Sequence, residues 1–384
     1  MTEPAADPRD AAARDVVAYY HQPVKGPLLR EAFLPLADRC SARGLTVHVE
    51  RHWLHGPHLR LRLRGPADQV ARAAADGAAA VQGWIHDHPS AAGLSTAELL
   101  AQAAEAGRAE LIAPPYGPVL PDNTVRVERV DLAQLRALIG ADGVTLRNDL
   151  LHLGLPALRA ASGFLAQQGD GAPARLQVAV AALAAHAAGH PGGLVGGHYS
   201  YISHLEDFLV HDDQDGRLRR AFDSRWQSVG GAVTALVGRI AEGGAAGWER
   251  EWAAWSAAAW QLAEGRLATG ANLAGHPHEY RARAAATGDP AAAERWDPEL
   301  RTRYSEFHQL LRRSDPAGAM WTRPAYLVYR ACTNGLYRLF AICDITPLER
   351  YLAAYLVIRA VPALTGHEWR TEVTAVVDAV ERAS

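Results

Sequence analysis

Cysteine and lysine are scarce in this chain of 384 residues. The three cysteines, Cys40, Cys332 and Cys343, are an odd number without metal-ligand spacing, so neither a disulfide framework nor a zinc site is expected. Lysine occurs once, as Lys25, among 39 basic residues, and this preference for arginine indicates codon bias. The formal charge of −3 gives no basic excess, which argues against a general nucleic-acid binder.

Long apolar runs are also missing. The longest candidate, 351–364, is interrupted by Arg359 and Pro362, whereas a membrane-spanning helix needs about 18 or more apolar residues in succession. Residues 1–14 carry no hydrophobic signal segment, and we expect them to be disordered. The sequence therefore predicts a cytoplasmic protein without membrane contact. Its 49% of hydrophobic residues suffice for a large core.

The most informative segment alternates leucine with arginine between 59 and 64. This period of two predicts a half-buried β-strand with leucines on the core and guanidiniums on the opposite face. Segment 46–53 also alternates, and the short turn 54–57 makes the two segments a hairpin. Arginines on an outer face often only keep a sheet soluble, but a row of them also suits carboxylates or peptide carbonyls. The pattern alone leaves both interpretations open.

The remaining periodicities predict an α+β fold. A strand at 15–21, a helix at 27–43, the hairpin and a helix at 67–86 form a small N-terminal sheet unit, in the order strand, helix, strand, strand, helix. An extended peptide could add to the edge of such a sheet. A mainly helical body follows. We expect a single domain over 15–384, divided into an α+β peptide-binding part at 15–130 and a mainly helical catalytic part at 131–384.

A second group of chemically active residues follows a glycine-rich segment, 189–197, which we expect to interrupt the helices. The candidate acid–base residues are Ser200, Tyr201, Ser203 and His204. If a helix begins here, Ser200 and His204 share a face, as do Tyr201 and His204. In the alternative interpretation, one serine caps the helix and His204 is a core residue. The histidine pairs at 86/88 and 276/278 lack a third ligand, so no metal is expected.

Three blocks of the chain resemble the lantibiotic dehydratase C-terminal domain family, which includes thiopeptide-type bacteriocin biosynthesis proteins. The first is the hairpin, from Trp53 to Gly65. The second covers 197–209, with its serines, tyrosines, histidine and acid. The third is Asn-Gly-Leu-Tyr-Arg-Leu at 334–339, followed by Ile-Thr-Pro-Leu-Glu-Arg at 345–350. The blocks occur in family order and span 14–365.

The resemblance implies an enzyme that modifies a ribosomally made precursor peptide containing dehydroalanine. Two reactions are typical of the family: elimination of glutamate from a glutamylated Ser or Thr, and a formal [4+2] cycloaddition that joins two dehydroalanines into a pyridine, with loss of water and leader peptide. Elimination members resemble one another in carrying a histidine where this chain has Arg330. Arginine stays protonated and cannot act as the base, so the cycloaddition of a pyridine synthase is favoured.

The resemblance also assigns roles to residues. Peptide contact is expected of the hairpin residues His58, Arg60, Arg62 and Arg64. The same role is expected of Glu206 in the second block and of Asn334 and Tyr337 in the third. It is also expected of Arg330, which lies four residues before the third block. The expected partner is the precursor peptide, with its leader and dehydrated core, and no cofactor is implied. A stand-alone glutamate-elimination lyase and a non-catalytic leader-binding scaffold remain alternatives, and a homodimer is left open.

Overall fold

The computed structural model of the chain describes residues 12–383, without the side chains of Pro277 and His278. The chain divides into two compact units. Unit 1 comprises 1–170, 271–297 and 335–344, and unit 2 comprises 171–270, 298–334 and 345–384. The predicted disordered segment 1–14 lies outside the described residues except for its last three, of which Arg14 begins the first strand.

Unit 1 is built on an antiparallel sheet of four strands in the order β2-β3-β1-β4. The strands are β1 (Arg14–Tyr19), β2 (Thr46–His52), β3 (His58–Arg64) and β4 (Thr124–Arg129). With helices between β1 and β2 and between β3 and β4, this is the split βαβ arrangement. The predicted hairpin is confirmed, and its register pairs His52 with His58 and Glu50 with Arg60.

One face of this sheet forms the apolar core of unit 1. The leucines of β3, Leu59, Leu61 and Leu63, are completely buried, as their alternation predicts. Gly77 lies where an added Cβ would come within 2.9 Å of the Leu36 side chain, so a larger residue would displace that leucine. The helices of unit 1 begin with a turn and a π-helical segment, Gly26–Leu28 and Leu29–Phe33. They continue with α1 (Leu34–Ala42), α2 (Ala67–Asp87), α3 (Thr96–Glu110), α4 (Ala133–Leu153), α5 (Leu155–Gln167), α10 (Pro277–Ala286) and α11 (Pro290–Trp296).

Unit 2 is helical in the part that the structure describes. Its helices are α6 (Ala172–Ala188), α7 (Gly193–Asp212), α8 (Arg217–Ala241), α9 (Glu249–Ala268), α12 (Glu306–Ser314), α14 (Pro347–Thr365) and α15 (Trp369–Ala383). Helix α13 (Pro324–Ile342) begins in unit 2 and ends in unit 1. Helix α6 is buried on all sides from Val178 to Ala187, because its alanines, valines and leucines are apolar on every side there.

The glycine-rich segment differs from the prediction. Helix α7 begins at Gly193, so the interruption covers only 189–192. A Cβ on Gly197 would lie 2.5 Å from the backbone of Ala187, and one on Gly196 would lie 2.4 Å from Nδ1 of His190. These glycines therefore permit close packing inside a helix. Because the helix begins at Gly193, the interpretation of Ser200 or Ser203 as its cap is wrong.

The α+β fold class is confirmed: a small N-terminal sheet precedes a mainly helical body. The first compact unit extends to Asp170 and takes in two later segments, and the division of roles at 130 stays a prediction. The single-domain assignment over 15–384 stays a prediction. Within residues 12–383, no helix has the length and apolar character that crossing a membrane requires.

Candidate functional site

The hairpin arginines do not project freely from the sheet, which corrects the expectation of an open row. Arg62 is 1% exposed, and its Nε and Nη2 each donate to the carboxylate of Asp15 at 2.9 Å. Arg60 donates to Glu50 at 2.6 Å, and Arg64 donates to Asp149 of α4 at 3.1 Å. The alternation correctly put the arginines opposite the leucines. The alternation of leucine and arginine carries no information about distant segments, so it could not predict that polar side chains of α4 cover this face.

Glu50 is the centre of this charged face. Its two carboxylate oxygens accept hydrogen bonds from Arg60 and from both Nη atoms of Arg147, and Oε1 lies 3.0 Å from Nε2 of His48. The surrounding guanidiniums outweigh burial and hold the pKa of Glu50 well below its usual range. Burial lowers the pKa of His48 to about 4, so the imidazole is neutral and the cluster is cationic around one carboxylate.

His58 lies on the same face, inside an aromatic stack. Its ring is 4.9 Å from that of Tyr19 and 5.7 Å from that of His52, and its Nδ1 lies 2.9 Å from the carbonyl oxygen of Gly56. Burial lowers the pKa of His58 to about 3. This histidine is 5% exposed, so its predicted role in peptide binding has no open surface in this structure.

In unit 2, helix α7 divides the predicted catalytic residues between two environments. Tyr201 is completely buried, and its hydroxyl donates to the carbonyl of Leu183 on α6 at 2.8 Å. Tyr329 on α13 donates to the carbonyl of Gly197 at 3.0 Å and lies 3.3 Å from the Tyr201 hydroxyl. This tyrosine pair joins three helices inside the core of unit 2. The catalytic role of Tyr201 stays a prediction.

Ser203 lies on the half-buried side of α7 and belongs to a chain of three polar side chains. Its Oγ is 3.0 Å from Nε2 of His308 on α12, and the other ring nitrogen, Nδ1, is 2.8 Å from Oγ of Ser305. Ser305 is also the cap of α12, where it accepts from the backbone N–H of His308. Both ring nitrogens are therefore fixed in position, and we call Ser203, His308 and Ser305 the relay.

The relay can carry protons. A neutral imidazole has one N–H donor and one acceptor nitrogen, and either assignment is satisfied by hydroxyls that both donate and accept. Burial lowers the pKa of His308 below its usual 6.5, so the ring is neutral at physiological pH. A nucleophile or proton carrier beside a base that a third group orients is the general arrangement of acid–base sites.

The other predicted residues of α7 lie around the relay. Ser200 and His204 are half-buried, and burial with the nearby charge of Arg350 lowers the pKa of His204 to about 4. Glu206 accepts two hydrogen bonds from Arg219, at 2.8 and 3.2 Å. Asp207, one residue further, forms an ion pair with Arg301. Glu206 is thus held by an arginine of its own chain, and its predicted peptide contact stays untested.

The predicted peptide contacts on α13 are divided between the two units: Arg330 and Asn334 belong to unit 2, and Tyr337 belongs to unit 1. The Arg330 guanidinium lies over the ring of Tyr326, with its central carbon 5.8 Å from the ring centroid. Asn334 is exposed, and Tyr337 is half-buried with its ring 6.2 Å from Phe340. The exposed side chain of Asn334 is open to a ligand.

Sequence reasoning missed His308, Ser305, Glu50 and Arg147. The pattern Ser-x-x-His at 305–308 signals a cap, but nothing local connects His308 with a serine 105 positions earlier. Glu50 could have been predicted as the partner of Arg60, because the hairpin turn fixes which residues of β2 and β3 are opposite each other. Within the described residues, no group of three or more His, Cys, Asp or Glu could hold a metal ion.

Comparison with known proteins gives a likeness of fold. No protein family and no curated protein matches the chain. Among solved structures, the pyridine synthase TbtD from thiomuracin biosynthesis is 18% identical with a TM-score of 0.65, over 92% of this chain and 99% of TbtD. TsrL is 18% identical with a TM-score of 0.63, over 96% of this chain and 98% of TsrL. The chain thus shares its fold, over nearly its whole length, with a pyridine synthase and with TsrL.

Proposed function

We propose that the protein is a biosynthetic enzyme acting on a ribosomally made precursor peptide, and that it joins two dehydroalanines of this peptide into a pyridine. One dehydroalanine reacts as the iminol tautomer of its amide, and two carbon–carbon bonds close a six-membered ring. The iminol hydroxyl leaves as water with one ring proton. The leader leaves as a carboxamide with a second ring proton, so the ring becomes aromatic without an oxidant.

The observation that carries the proposal is the fold shared with a pyridine synthase along nearly the full length of both chains. The three resembling sequence blocks independently favour the same class of substrate. At 18% identity the likeness by itself supports the fold alone, so the reaction rests on these two lines together and on the chemistry that the relay can perform.

The relay would perform the proton shift that makes the iminol. Ser203 accepts the amide proton as its own proton passes to Nε2 of His308, and the proton then returns through Ser203 to the carbonyl oxygen. No net proton is gained or lost. Such positioned acid–base groups contribute about 10²–10⁴ in rate, whereas holding two distant dehydroalanines in attack geometry can contribute about 7–11 kcal/mol. Positioning therefore outweighs proton transfer in this proposal.

The relay would also be the acid–base group of an eliminase, so the choice between reactions depends on residue 330. The Arg330 side chain lies over an aromatic ring, and a guanidinium cannot act as a base. Arg330 and the exposed Asn334 remain proposed peptide contacts, as does Arg60, whose side chain is 24% exposed.

The experiment is incubation with a synthetic peptide that carries a leader and two dehydroalanines, followed by mass spectrometry. We expect a product lighter by water plus the leader, together with the leader carboxamide. Loss of glutamate from a glutamylated peptide would instead establish the lyase. Tight leader binding with no change of mass on either peptide would establish the scaffold, and both outcomes would overturn the proposal.

Variants test the relay. We expect His308→Ala and Ser203→Ala to lower kcat by about 10²–10⁴, and the acid limb of the rate profile to lie below pH 6.5 because the pKa of His308 is lowered. His367→Ala is the matched control, since the side chain of this histidine of unit 2 is 48% exposed and pairs with Glu372. Wild-type rates in both relay variants would remove the relay from the mechanism.

A further inference from the structure

A small cleft in unit 1 concentrates positive charge. It is lined by Glu50, Arg51, Arg147, Leu151, Arg338 and Ile342. Three of the four ionisable residues are arginines, and they come from β2, α4 and α13. Guanidiniums repel one another where solvent is partly excluded, so their convergence from three separate elements favours an anion between them.

The carboxylate of the cleft, that of Glu50, already accepts hydrogen bonds from neighbouring arginines. Both oxygens of Glu50 accept from Arg147, at 3.0 and 2.8 Å, and Arg60 shares the second oxygen. Arg51 in turn pairs with Asp344 and donates to the carbonyl of Pro23 at 2.9 Å. Two of the three guanidiniums are thus held in fixed positions by the protein itself.

Arg338 is held differently. Its nearest described carboxylate, that of Glu110, lies 3.6 Å from Nη1, which is beyond hydrogen-bond distance. The Arg338 side chain is 42% exposed, against 14% for Arg147 and 27% for Arg51. A planar guanidinium has five donors and suits a carboxylate in a bidentate arrangement. Arg338 is therefore the cleft arginine best placed to receive an external anion.

The lining determines how a ligand would be held. Leu151 and Ile342 are almost completely buried, so a bound anion meets the guanidiniums and not these apolar side chains. A planar carboxylate matches the fork of a guanidinium in a bidentate arrangement. The cleft is small, so the rest of such a ligand would remain outside.

We infer that this cleft binds the side-chain carboxylate of an acidic residue, glutamate or aspartate, in the precursor peptide. The identity of that peptide rests on the proposed function, but binding of the carboxylate does not require turnover. The cleft would hold the peptide by charge and hydrogen bonding at a point on unit 1.

The test compares N-acetyl-glutamate amide with N-acetyl-glutamine amide, which differ only in the charged group, by titration calorimetry at constant ionic strength. We expect the glutamate probe to bind and to raise the midpoint of thermal unfolding, and the glutamine probe to bind at least tenfold more weakly. Equal binding of the two probes, or binding of neither, would overturn the inference. Because neither probe contains dehydroalanine, this result is independent of the proposed reaction.

Variants locate the site. Arg338→Gln is expected to weaken the glutamate probe about tenfold and Arg338→Lys less, since lysine keeps the charge but loses the bidentate geometry. Arg370→Gln is the control, because this exposed arginine pairs with Glu306 in unit 2. Undiminished binding in Arg338→Gln contradicts the assignment. Tighter binding of inorganic phosphate than of the glutamate probe would mark a site for a free anion and would also overturn it.

Discussion

The polar clusters described in the two compact units differ in their chemistry. In unit 1 the polar face of the sheet is ionised: Arg62 pairs with Asp15, and Glu50 accepts from Arg60 and Arg147. Unit 2 also contains ion pairs, such as Glu206–Arg219, but its Tyr201–Tyr329 pair and the relay are built from neutral hydroxyls and imidazoles. Fixed charges create a lasting potential that selects anions, whereas neutral hydroxyl–imidazole chains can move a proton at small cost. In the proposed function, this difference would suit unit 1 to peptide binding and unit 2 to proton transfer.

The largest expected effect on stability comes from removing the central charge of unit 1. Glu50→Gln keeps the shape but leaves the guanidiniums of Arg60 and Arg147 without their carboxylate. Breaking a buried ion pair from one side costs about 3–5 kcal/mol, and we expect the free energy of unfolding in urea to fall by that amount.

Glu306→Gln is the matched control for this substitution. Glu306 pairs with Arg370, and both side chains are more than half exposed, so the loss should stay below about 1 kcal/mol. If Glu50→Gln cost no more than this control, the charged face of unit 1 would have no special role in stability.

The pH dependence of stability tests what the two units share, namely buried neutral histidines. Burial lowers the pKa of His48 in unit 1 to about 4 and that of His186 in unit 2 to about 3, while the unfolded chain titrates near 6.5. Between these values the unfolded state binds more protons, so stability is complete above pH 6.5 and is lost as the pH falls. Each such histidine contributes a slope of about 1.4 kcal/mol per pH unit.

Urea titrations at pH 7, 6 and 5 measure this slope. We expect His186→Asn to reduce it by the contribution of one histidine, and His367→Asn, an exposed change, to leave it unaltered. A free energy of unfolding that stays constant between pH 7 and 5 would show that these imidazoles are not kept neutral by burial.

The smallest expected effect concerns the neutral network of unit 2. Tyr329→Phe removes the hydroxyl that donates to Gly197 and lies beside that of Tyr201, while Tyr201 keeps its bond to Leu183. A neutral hydrogen bond contributes about 0.5–1.5 kcal/mol, and urea unfolding should show a loss in that range. Tyr280→Phe, in which the ring stacked on Trp296 is retained, should change stability less. A loss of several kcal/mol in Tyr329→Phe would make this network as costly to break as an ionised one.

Much of the fold could be predicted because its signals are local. The hairpin was predicted at 46–53 and around 59–64, and the strands end within a residue or two of these limits, since a period of two admits no other regular structure. The glycine-rich segment was predicted wrongly. Glycine favours the interruption of a helix, whereas Gly196 and Gly197 lie inside α7 and allow close approach of His190 and Ala187.

The sequence by itself determined the hairpin, the face on which the arginines lie and the helical character of the serine–tyrosine–histidine block. Only the tertiary structure decided that α4 covers those arginines with its own charges, and that His308 meets Ser203. The physical reason is the separation along the sequence between the residues that interact. Alternation and capping depend on neighbours a few residues away, whereas an ion pair or a relay forms between side chains that packing brings together from distant parts of the chain.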